Sequence, residues 1–99
     1  MMPRPLAVPV PPEATETVAA IIAKDAEFRE AIRTMNRHER PTGVMAAAIF
    51  ALADERTAME TQLRRKFFPR AHRVTVDQWG VYTWSPTGRS IRQVWKLTP

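Results

Sequence analysis

The sequence predicts an α+β fold: a long antiparallel αα-hairpin followed by a three-stranded antiparallel β-meander packed on it. Apolar residues recur at helical spacing from Val18 to Met35 and at heptad spacing from Met45 to Leu63. From Arg73 onward the period drops to two, and β-branched and aromatic residues alternate between turn signals. Pro41, Gly43 and Pro69 separate the segments.

Ninety-nine residues suffice for one domain with a modest core, and 44% hydrophobic and 25% charged residues are ordinary for a globular chain. The absence of cysteine excludes disulfides and thiolate metal sites. Prolines at 3, 5, 9, 11 and 12 break any signal-peptide core, and the longest apolar run, Val44 to Ala53, is too short to cross a bilayer. The expectation is a cytoplasmic protein without membrane association.

Residues 1–12 read as an extended, proline-rich arm able to lie along a partner, and 13–99 as a single α+β domain. The first helix is expected over about 13–39. Pro12 suits a first helical position, and Glu13 and Glu16 complement the helix dipole. Its stripe is Val18, Ile21, Ile22, Phe28, Ile32 and Met35, and Pro41 and Gly43 stop it. The second helix, about 42–68, follows Thr42 or Arg40 and ends before Pro69. Its seam is Met45, Ile49, Leu52, Arg56, Met59, Leu63 and Lys66, with Phe67 able to replace Lys66.

The two stripes fit each other. Facing residues of an antiparallel pair have numbers with a constant sum, and Val18/Leu63, Ile21/Met59, Phe28/Leu52, Ile32/Ile49 and Met35/Met45 all give 80 or 81. The charged interruptions, Asp25 and Arg56, also sum to 81, which predicts an ion pair inside the seam. Such a pair sets register more than stability, because desolvation offsets most of its Coulomb gain. Two exposed charges at a stripe edge are the alternative. Ala46, Phe50 and Ala53 lie away from the seam, so a second layer must cover them. The sheet is the expected cover, and a homodimer contact through the Phe50 side is the other.

Strands are expected at about 73–76, 81–85 and 89–97. A four-residue loop, Asp77 to Gly80, and a three-residue loop, Pro86 to Gly88, each end on a glycine suited to positive φ. This register pairs Thr83 with Ile91 and Tyr82 with Arg92. It puts Val74, Val76, Val81, Thr83, Ile91, Gln93, Trp95 and Leu97 on one face. Arg73, Thr75, Tyr82, Trp84, Arg92, Val94 and Lys96 then share the other.

Catalytic and metal-binding patterns are missing. His38 and His72 lack helical i, i+4 partners, the three glycines form no phosphate loop, and Ser85 and Ser90 have no neighbouring base. A non-enzymatic protein without metal or cofactor is expected. Signatures of RNA-recognition, helix-turn-helix and zinc-finger modules are likewise missing.

Charge is the informative remainder. Gln62 to Pro99 holds eight arginines and lysines against one aspartate, together with all three tryptophans. Met1 to Thr61 holds seven basic and nine acidic residues. On the expected outer sheet face, Arg73, Tyr82, Trp84, Arg92 and Lys96 interleave cations with flat rings, which can stack bases and neutralise phosphates. The same pairs also stabilise exposed sheets with nothing bound. Arg64, Arg65, Lys66 and Arg70 form a second basic cluster, part of which complements the helix C-terminus. Together these residues predict nucleic-acid binding of low sequence specificity. An accessory or assembly module that binds an acidic protein or self-associates is the alternative.

Overall fold

The computed structural model describes residues 6–97. The first five residues of the expected arm lie outside them. The described elements are β1 (Val8–Pro9), α1 (Pro12–Arg37), α2 (Gly43–Phe67), β2 (Arg73–Val76), β3 (Gly80–Trp84) and β4 (Ile91–Lys96). Two helices are followed by a sheet, so the α+β architecture stands. The sheet is not a three-stranded meander, however. It is four-stranded and mixed, in the order β1-β4-β3-β2, with β1 parallel to β4. The end of the arm thus supplies an edge strand. Proline is tolerated there because an edge strand leaves some N–H positions unpaired.

The helices form the expected hairpin. Pro12 starts α1, with the Ala14 N–H donating to the Pro11 carbonyl at 3.0 Å. Thr42, rather than Arg40, caps α2: its Oγ1 accepts from the Met45 N–H at 3.2 Å. Arg56 reaches across the seam to Asp25 at 2.5 Å, and Arg29 holds the second carboxylate oxygen at 2.9 Å. The Arg56 guanidinium also sits 4.9 Å from the Phe28 ring centre, so Asp25 and Phe28 together fix its position. Lys24 adds a second interhelical bridge, to Glu55 at 2.8 Å. Asp25 and Arg56 are mostly covered, which excludes the reading as exposed edge charges.

The sheet closes over the open end of the hairpin. Ala14, Val18 and Ile21 of α1, Leu63 of α2, and Val74, Val76, Val81 and Trp95 of the sheet form the buried core. Trp95 packs edge-on to Phe67 at 5.2 Å and tilted against Phe68 at 4.8 Å. Phe67, not Lys66, thereby continues the covered stripe of α2, against the sheet.

The sheet does not cover Phe50, which is 69% exposed. Connectivity explains the difference. Only residues 68–72 separate α2 from β2, so β2 must run back along the last turns of α2. Its four residues extend about 13 Å, and it ends where the Val76 N–H donates to Glu60 at 3.0 Å. Phe50 lies about 15 Å further along the helix.

Candidate nucleic-acid interface

Two turns set the register of the sheet, and only the first matches expectation. Val76 pairs with Val81 around the loop Asp77 to Gly80. Asp77 Oδ1 closes this loop by accepting from the Trp79 and Gly80 N–H groups at 2.8 and 3.0 Å. Gly80 is needed for a different reason than positive φ, which among the described residues only Gly88 adopts. A Cβ at Gly80 would stand 2.3 Å from the Trp95 carbonyl oxygen, so the glycine admits β4 at close range.

The second turn is one residue longer than expected. The Ser85 N–H donates to the Ser90 carbonyl at 2.9 Å, and the Ser90 N–H returns to Ser85 Oγ at 3.2 Å. Arg89 therefore joins the loop. Tyr82 now pairs with Gln93, Thr83 with Arg92 and Trp84 with Ile91. A bulge between Val81 and Tyr82 shifts the register by one residue more, so that Val81 meets Trp95 and the expected facing, though not the expected pairing, returns beyond it. Hydroxyl groups at Ser85 and Thr87 stabilise the longer loop, a local chemistry that simple alternation does not reveal.

This slip divides the expected platform. Arg73, Thr75, Tyr82 and Trp84 remain on the outer face, and Ile91 and Gln93 join them. Arg92 moves to the face of Thr83 and Val74, toward the helices. Val94 packs against the core cluster instead of facing out. Lys96 pairs with Gly80, at the opposite end of β3 from Trp84. The outer residues are also mutually occupied. The Trp84 indole N–H donates to Thr75 Oγ1 at 3.0 Å, and the Arg73 guanidinium lies 5.6 Å from the Trp84 ring centre. Burial, aided by the Asp77 carboxylate, raises the pKa of the Tyr82 hydroxyl above its ordinary value.

The polybasic helix end is likewise divided. Arg64 donates to the Ala71 carbonyl at 3.4 Å and so ties down the α2–β2 connection. Lys66 rests 5.3 Å from the Phe67 ring centre, and Arg65 and Arg70 are exposed.

In place of a flat platform, the fold makes a groove of about 710 Å³. Phe67, Phe68, Ala71, Trp84 and Val94 supply much of its lining, Arg70 and Arg92 contribute cations, and no carboxylate among the described residues lines it. Seven of the nine expected contact residues are basic, yet only Arg70, Arg92 and Trp84 line this groove. Phe68 and Val94 were not anticipated as site residues. Phe68 follows a helix and reads as its end, and Val94 was placed on the wrong face by the register.

Glu60 also escaped the sequence reading. It is 7% exposed, and burial raises the pKa of its carboxyl above the usual 4.5 despite its bond to the Val76 N–H. Its partner is a backbone amide, which every residue except proline carries, so no sequence signal marks the contact.

No group of three or more metal-ligating side chains forms among the described residues, and no described helix is long and apolar enough to cross a membrane. Comparison with protein-family models, curated proteins and solved structures yields no match.

Proposed function

We propose that this protein is a non-enzymatic binder of single-stranded nucleic acid with low sequence specificity, and that the groove between the α2–β2 connection and the β3–β4 hairpin is its contact surface. The observation that carries this reading is an apolar, aromatic groove with Arg70 and Arg92 in its lining and no acidic side chain among the described residues there. A base needs a flat apolar surface and its phosphate needs a cation nearby, and the groove offers both. Arg65, Lys66, Arg73 and Arg89 lie on neighbouring segments and extend the positive field for a backbone to follow. Little here reads base edges, so affinity depends on salt more than on sequence.

Binding of a labelled oligothymidylate across a salt series tests the proposal. Affinity is expected to fall linearly in log–log form. Arg70→Ala with Arg92→Ala should lower the slope by about 1.4. Phe68→Ala should weaken binding with the slope unchanged. Absence of binding at about 50 mM salt, where electrostatic association is strong, overturns the reading.

The alternative is a protein-interaction module. The uncovered surface around Phe50, an apolar patch with no basic residue on its face of α2, favours that role for the other end of the molecule.

A further inference from the structure

We propose that two copies of the chain associate through the face of α2 opposite its seam, running antiparallel, with Phe50 of each copy seated on the second copy's Ala47. This does not rest on the nucleic-acid reading. At 100° per residue, Gly43, Ala47, Phe50, Asp54 and Ala58 fall on one side of the helix, and all are exposed. Phe50 is the one large residue in a row of small ones. A helix with one knob flanked by shallow positions complements a reversed copy of itself, and a two-fold axis closes that contact.

The charges select the same register. With Phe50 against Ala47, residue numbers across the interface sum to 97, which sets Asp54 against Gly43. Asp54 makes no ion pair among the described residues, and the first turn of α2 has no acidic residue of its own. The amides of Gly43 and Val44 have no acceptor within the helix, and Arg40, also without an ion pair among the described residues, stands just before them. A carboxylate from a second copy meets a helix N-terminus and an arginine there. Size and charge therefore agree on one partner, a second copy of this chain, and on one alignment. The strip is about 24 Å long and one helix wide. That is narrower than a standard interface, so association is weak and depends on concentration.

Sedimentation of the full chain between about 1 and about 300 μM tests the proposal. The mass should rise from 11.3 kDa toward twice that value. Phe50→Ala and Ala47→Glu should each weaken association at least tenfold. Asp54→Arg alone and Arg40→Asp alone should weaken it, and together they should restore part of it, since the helix N-terminus still disfavours the arginine. These positions are exposed, and an unchanged circular dichroism spectrum confirms that each variant folds. A monomer throughout the range, a dimer indifferent to Phe50→Ala and Ala47→Glu, or a charge swap without rescue overturns the proposal.

Discussion

The two ends of the helical hairpin are made from the same pattern and end in different states. At the open end, Val18, Ile21 and Leu63 are at most 1% exposed. Toward the tip, Phe28, Ile32, Met35, Met45, Ile49 and Leu52 occupy equivalent seam positions and are only half-buried. No described residue from Ile22 to Met59 is fully buried. The seam is the same. The difference is the third layer, because Trp95 and three valines of the sheet exclude water from one end and no described residue covers the other. Two helices alone cannot enclose the residues between them, which is why helical stability depends on tertiary packing. The elongated dimensions, 56 × 30 × 24 Å, express the same division.

Truncation at matched seam positions breaks or sharpens this contrast most strongly. Leu63→Ala should cost about 3 kcal/mol, in the range of buried leucines that leave a cavity. Leu52→Ala should cost about 1 kcal/mol, since its side chain already meets water. Denaturant midpoints check both values, and equal losses would mean that the tip is as well packed as the base.

A smaller effect is expected where the two halves meet. A double-mutant cycle on Asp25→Ala and Arg56→Ala should give a coupling energy of about 1 kcal/mol. Arg29 still holds Asp25 when Arg56 is gone, which limits the loss. Strict additivity would show that the bridge contributes nothing to stability.

The smallest effect concerns Glu60, at the boundary of the covered region. Its raised pKa means that the folded state holds the proton more tightly than the unfolded chain does. Its contribution to stability is therefore fully present below about 4.5, the unfolded value, and lost as pH rises through the higher folded value. Glu60→Gln keeps a carbonyl oxygen for the Val76 N–H and should flatten that part of the curve of stability against pH. Identical slopes for both proteins would assign the effect to another group.

Legibility followed the range of each interaction. The helix pair, its alignment and the Asp25–Arg56 bridge were readable because heptad spacing and charge interruptions are regular over many residues. The first β-turn was readable because a four-residue loop is what keeps Val74 and Val76 on the face of Val81. The second was not, because Ser85 and Thr87 hydroxyls lengthened it by one residue and a bulge then hid the slip at Trp95. Side chains alternate strictly along a strand, so that single residue moved Arg92 to the other face and replaced a flat platform with a groove.

The sequence alone therefore determined the periodic parts of this protein: two helices, their antiparallel seam, the basic aromatic C-terminal segment and the burial of Trp95. Tertiary structure alone decided where the sheet docks, that residues 8–9 join it, that Glu60 is buried, and which cations share a surface with aromatic rings. The first group rests on local spacing that every residue repeats. The second depends on connection length, on a single loop residue and on backbone amides, none of which leaves a periodic trace.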